Sequence, residues 1–172
     1  MKNRYGDQFT KNQAIEIKYA VLENLASWMS LVESVRWNFP GLETEELLEE
    51  YKKTVIKNIK RKSALCALIG NQVVGILLFS IKHNMLCCMA VHPDHRRRHI
   101  ASALVCEMLN NLDRSKDIIV DTFRDDDPKG KAPRAFYRRL GFEEGELHSE
   151  MNYPEQRFIL KPALKPAHGK TE

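Results

Sequence analysis

No apolar run in this 172-residue chain approaches the roughly 18–20 residues needed to cross a bilayer. The opening Met1-Lys2-Asn3-Arg4-Tyr5-Gly6-Asp7 is polar and lacks the apolar core of a secretory leader. Both absences predict a protein of the cytoplasm, with no membrane partner. The four cysteines, Cys66, Cys87, Cys88 and Cys106, include no Cys-x-x-Cys pair. All four fall within expected strands or a helix, so buried thiols are expected rather than disulfides or zinc ligands. His92, His95 and His99 straddle a proline and lack a carboxylate–histidine metal pattern, so no metal is expected. There is no internal repeat. The net charge of +4 is modest, its excess lying in three consecutive arginines and in Lys52–Lys62. A long nucleic-acid footprint would want a broader basic face and exposed aromatics beside the arginines for bases to stack on; none lies nearby in sequence.

What the chain does contain is a core. Apolar residues make up 43% and charged residues 29%, proportions of a soluble globule, and the length suits one domain. That domain is expected over 1–162, with a disordered tail over 163–172. Ala14–Lys18 alternates as a strand would. Val21, Leu25, Trp28, Val32 and Val35 mark one face of a helix that Asn38-Phe39-Pro40-Gly41 ends. Leu47, Tyr51, Val55 and Ile59 stripe a second helix from about Glu45 to Lys60. Its glutamates come first and its lysines last, which complements the helix dipole. Two strands, 64–69 and 72–82, flank a tight turn at Gly70-Asn71, and Gly75 within the second marks a bulge or a close approach. A third strand ends at Val91. Later elements are a strand over 117–123, a short helix over 132–140 stopped by Gly141, and strands over 142–149 and 156–160. The order predicts an α/β fold: a mixed, mostly antiparallel twisted sheet of about six to seven strands with helices on both faces.

The chemistry concentrates where Met85–Val91 stops at Pro93 and leads into Arg96-Arg97-Arg98. An amphipathic helix follows, with Ile100, Leu104, Met108 and Leu112 on one face. A helix N-terminus presents free backbone N–H groups and the positive end of its dipole, and guanidinium groups beside it strengthen the preference for phosphate. Strand, basic loop and helix thus predict a site for a phosphorylated ligand.

That segment resembles the acyl-CoA signature of the GNAT superfamily of N-acetyltransferases: Arg or Gln, two free positions, Gly, one free position, Gly or Ala. Arg96 fills the first position and Ala101 the last, while His99 stands where the family has glycine. A second family block appears as Ala135-Phe136-Tyr137-Arg138-Arg139-Leu140-Gly141-Phe142. The resemblance covers roughly residues 64–160 and implies the GNAT fold. It also implies an N-acetyltransferase moving an acetyl group directly from acetyl-CoA to a primary amine, with a small molecule favoured over a peptide or protein. A non-catalytic acyl-CoA-binding module is the rival reading.

By position, the resemblance has Arg96, Arg97, Arg98, His99, Ile100, Ala101 and Ser102 cradling the pyrophosphate. Met89, Ala90 and Val91 would pair with the pantetheine, a main-chain N–H near Met89 would face the developing oxyanion, and Phe136 would add a contact. Tyr137 would protonate the departing thiolate, or else pack as a core tyrosine. Asp121 would relay the amine proton, or else pair with a nearby arginine; Glu33 and His83 are weaker candidates for that base. Trp28, Trp37 and Phe39, with the helical glutamates, would wall an acceptor pocket suited to a cationic amine. The family's asparagine ahead of the short helix has no counterpart near Gly130. A homodimer through the late strands is a further implication.

Overall fold

The computed structural model describes residues 14–163. The start of the chain and the tail from residue 164 on lie outside them. Seven strands and four helices follow one another as β1 (Ile15–Tyr19), α1 (Leu25–Val35), α2 (Glu45–Lys60), β2 (Ala64–Ile69), β3 (Gln72–Ser80), β4 (Met85–Val91), α3 (Ile100–Leu109), β5 (Ile118–Phe123), α4 (Lys131–Arg139), β6 (Glu143–Glu150) and β7 (Tyr153–Leu160). The strands form a single sheet in the order β1-β2-β3-β4-β5-β7-β6. Every neighbouring pair is antiparallel except β4 and β5, which α3 connects as a parallel crossover. The fold is the mixed α/β sheet that the periodicities predict.

Two apolar layers sandwich the sheet. On one face, Trp28, Leu31, Val32 and Val35 of α1 and Val55 and Ile59 of α2 close over Cys66, Ile76 and Leu78. On the other, Ile100, Leu104, Val105 and Met108 of α3, with Tyr137 of α4, cover Leu65, Leu77, Val120 and Phe158. The helix over 45–60 starts where Thr44 accepts a hydrogen bond from the Leu47 N–H at 3.3 Å.

Gly75 shows why its position excludes a side chain. A Cβ there would lie 2.6 Å from Ile100 Cγ2, so the first turn of α3 rests directly on the β3 backbone. The adjoining register shift, between Ala67 and Leu68 opposite β3, places a bulge at the same point.

Four boundaries and burials differ from expectation. β3 ends at Ser80, leaving Ile81 exposed in a turn. The helical face of α3 stops at Leu109, yet Leu112 is still buried against it from the following loop. β7 begins at Tyr153 and includes Pro154, which is compatible with a strand because pairing with β5 starts only at Glu155. Of the four free cysteines only Cys66 is buried; Cys88 is partly buried, and Cys87 and Cys106 are exposed.

Candidate active site

The site begins as a defect in the sheet. β4 and β5 pair only at Met85 with Ile119 and Leu86 with Val120. A bulge opposite Leu78 and Phe79 falls at Cys87 and bends β4 at that point. Beyond it, Cys87–Val91 and Asp121–Phe123 run on without a ladder between them. The gap opens into a cavity of about 480 Å³. Cys87, Cys88 and Met89 form one wall and Asp121, Thr122 and Phe123 the other, with Phe39 and Tyr51 above and Tyr137 at the base. On the far side of Met89 a groove of about 860 Å³ runs past Arg96, Arg97, His99, Ile100, Ala101 and Ser102 to Phe136 of α4. Met89, Ala90, Val91 and Arg96 also line a recess with Trp37 between the two.

The basic loop leads into an uncapped helix start. α3 has no side-chain cap at His99, and the N–H groups of its first turn have no partner within the helix. Arg97 and His99 both adopt left-handed backbone, with φ of 60° and 59°. Left-handed residues of this kind bring successive N–H groups into a concavity. The glycine in the family signature therefore answers a backbone demand, which His99 meets at some cost in strain; its imidazole is exposed. Arg96 and Arg97 are exposed along the groove. Arg98 lies outside the recesses and meets His95 Nδ1 at 3.1 Å.

Tyr137 is 5% exposed and packs against Phe136, Phe142 and Phe158. Among the described residues its hydroxyl has no hydrogen-bond partner. Burial, with a smaller contribution from Cys88, raises its pKa well above the ordinary phenol value, so it keeps its proton. The ring is core, as one of the two readings had it, and the side chain also lines the cavity. Arg134, one turn earlier, is buried, and reasoning from sequence missed it. It donates to the Phe123 carbonyl at 3.0 Å and to Gln156 Oε1 at 2.6 Å, lies 3.0 Å from Glu144, and stacks over the Phe158 ring at 5.0 Å. It ties α4 to β5 and β7, and so fixes Tyr137. The only sequence signal was an arginine on the apolar side of an otherwise amphipathic stretch.

Asp121 lines the cavity, but as an arginine's partner. Arg157 Nε and Nη2 donate to its two carboxylate oxygens at 3.0 and 3.1 Å. The fork–fork geometry occupies the carboxylate that was a candidate proton relay. Glu33 is held by Arg36 at 3.1 Å, and neither it nor the exposed His83 lines the cavity. Trp28 is fully buried and reaches the cavity only through its N–H, which donates to the Tyr51 hydroxyl at 3.3 Å. Around Asp121 stands a cluster the sequence did not reveal, because its members are spread over β5, β6 and β7. His148 Nε2 lies 3.5 Å from Asp121 Oδ2 and 3.6 Å from Glu155 Oε2, with Glu150 close by.

Comparison with known proteins agrees with this fold. A family model for the acetyltransferase (GNAT) domain matches residues 60–144. No curated protein matches the sequence. A GNAT-family acetyltransferase from Bacillus cereus superposes with a TM-score of 0.66 at 18% identity, covering 87% of this chain and 99% of that one. The PaiA N-acetyltransferase of Thermoplasma acidophilum, in complex with coenzyme A, gives 0.62 at 18% identity over 87% and 99%. The YncA protein of Salmonella typhimurium, with its cofactor acetyl-CoA, gives 0.67 at 11% identity over 92% and 99%. At these identities the structures speak for the fold. The matched domain carries the activity class, and the chain belongs to the GNAT superfamily of acetyltransferases.

Proposed function

We propose that the protein transfers the acetyl group of acetyl-CoA directly to a primary amine of a small molecule. The observation that carries this is the continuity of the sheet gap. One end is a helix N-terminus with two exposed arginines, and the other is a cavity lined by Tyr137. The N–H groups of Ile100, Ala101 and Ser102, which have no partner within the helix, would join Arg96 and Arg97 in supplying the donor chemistry that a pyrophosphate needs. The unpaired stretch of β4 at Met89–Val91 offers main-chain groups to the pantetheine amides. Met89 lines the cavity, and its main-chain N–H would stabilise the oxyanion. Tyr137, protonated and buried, would give its proton to the departing thiolate.

The charge of the cavity speaks for a cationic acceptor. Glu50, Asp121, Glu150 and Glu155 line it, and among the described residues no lysine or arginine does. Such a pocket concentrates ammonium groups. The pocket is closed on one side by α2 and the Asn38–Leu42 segment, which suits a compact acceptor. A screen of acceptors, read as acetyl-CoA-dependent release of free CoA, tests the proposal. Turnover of small mono- or polyamines, or of aminoglycoside-like amines, is the expected result. Acetylation of peptides alone would overturn the small-molecule reading. Tight acetyl-CoA binding without transfer to any amine would leave a binding module.

A further inference from the structure

We propose that Glu155 is the group that takes the proton from the incoming ammonium, with His148 positioning its carboxylate; this rests on the amine-acceptor reading above. Among the described residues four carboxylates line the cavity, and three are unsuited to the task. Both Asp121 oxygens are held by Arg157. Glu50 is exposed and pairs with Lys53 at 2.6 Å. Glu150 is exposed, so its carboxylate stays open to water at the edge of the cluster. Glu155 alone is three-quarters buried without a cationic arginine or lysine on it, and among the described residues its Oε2 is buried and takes no hydrogen bond.

The sheet explains how it is held there. Glu155 pairs across β7 with Phe123 on one side and His148 on the other, so these three side chains share a face. His148 Nε2 stands 3.6 Å from Glu155 Oε2 and 3.5 Å from Asp121 Oδ2, and both imidazole nitrogens are buried without a hydrogen-bond partner among the described residues. Groups facing Glu155 are Asp121 from β5, His148 and Glu150 from β6, and Tyr153 and Arg157 from β7. Tyr153 is committed to Asp127 at 2.5 Å, and Arg157 to Asp121 and Glu146. Arg124 donates to the Glu155 main-chain carbonyl rather than to its carboxylate. Burial, then the charges of Glu150 and Asp121, raise the proton affinity of Glu155, and His148 opposes them. A carboxylate so tuned is a better base toward an ammonium than an ordinary surface one.

The step balances. Glu155 accepts one proton from R–NH₃⁺, leaving the nitrogen lone pair free. The nitrogen bonds to the acetyl carbon and the carbon–sulfur bond breaks. The thiolate takes the Tyr137 proton, and Tyr137 is reprotonated by the second proton leaving nitrogen, through water. Glu155 returns its proton to solvent.

The test is the pH profile of kcat/KM on an amine that the wild-type enzyme acetylates, compared with Glu155→Gln and Glu155→Asp. With a base present, kcat/KM should be level from just above the Glu155 pKa up to the pKa of the amine. Without it, only amine already deprotonated in water reacts, so the E155Q profile should climb about tenfold per pH unit and meet the wild type at high pH. Near neutrality the loss should be on the order of 10²-fold. E155D should restore part of the plateau. His148→Asn should shift the acid limb and keep the plateau, an effect that a purely structural role would not produce. Unchanged acetyl-CoA affinity in E155Q shows that the fold is intact. A retained plateau in E155Q overturns this role and leaves the acetyltransferase reading standing. Loss of wild-type activity on chelation, restored by zinc, also overturns it, because the same four donors would then be metal ligands. A wild-type protein that acetylates no amine overturns both readings.

Discussion

His99 is the residue where the demands of backbone and ligand can be separated. A left-handed conformation costs an L-residue roughly 1–2 kcal/mol, whereas the added chain entropy of glycine costs roughly 0.5–1 kcal/mol. The imidazole is exposed, and no hydrogen bond caps α3 through it. His99→Gly should therefore stabilise the protein by about 0.5–1 kcal/mol, a rise in Tm of roughly 1–4 °C for a domain of this size. Thermal unfolding measures it, and a lowered Tm would mean that the side chain makes a stabilising contact. Tyr137 answers a different question. Among the described residues its hydroxyl bonds to nothing, so Tyr137→Phe removes no folding interaction. If it is the acid, turnover should fall by about 10²–10³-fold while acetyl-CoA affinity stays nearly constant. Stopped or steady-state kinetics beside a CoA titration separate the two; full turnover in Y137F would assign the residue to packing alone. Both residues were legible because a motif placed them. Arg134, Glu155 and His148 were not: a buried arginine and a three-strand cluster are defined by register, and register is invisible until the strands are paired.

Elements carry the motif to its place. The periodicities of α1, α2 and α3 were readable because each helix buries one stripe against the sheet. Strand ends were less readable, since a strand stops where its partner does: Pro154 looks like a breaker until β5 is seen to end at Phe123. Gly75 is where α3 and β3 meet most closely. Its hypothetical Cβ contacts Ile100, Ala67 and Leu104 at 2.6, 3.2 and 3.2 Å. Ile100 is β-branched and sits in the first turn of the helix, so its Cγ2 has no alternative rotamer into which to retreat. Gly75→Ala should push the start of α3 off the sheet and cost about 1–3 kcal/mol. The same displacement moves the anion loop, so acetyl-CoA affinity should fall together with stability. Chemical denaturation and a CoA titration on G75A check both. Full stability in G75A would show that the helix can shift without cost.

At the scale of the molecule the sheet is two half-sheets. β1–β4 and β5–β7–β6 are joined by a ladder of only two residue pairs and by the helices packed across the seam. A seam so thinly paired leaves the backbone groups of Cys88–Val91 and Asp121–Phe123 without ladder partners on their facing edges, and such segments open more readily than the continuous ladders beside them. A ligand lying in the gap supplies the missing partners to β4 and draws α3 and α4 onto one object. Acetyl-CoA should therefore act as a fold-wide brace. At a free concentration of about 100 times its Kd it adds roughly 2.7 kcal/mol, which in a domain of this size raises Tm by about 5–11 °C. Mass action alone gives that shift for any site, so its location is the decisive reading. Hydrogen exchange should slow at Met89–Val91 and in the loop Arg97–Ser102, and change little in β1–β2. Adenosine diphosphate, which lacks the pantetheine, should protect the loop alone. Protection of the loop by both ligands with no change in β4 would mean that the thioester arm lies outside the gap, and the cavity lined by Tyr137 and Glu155 would lose its claim to the chemistry.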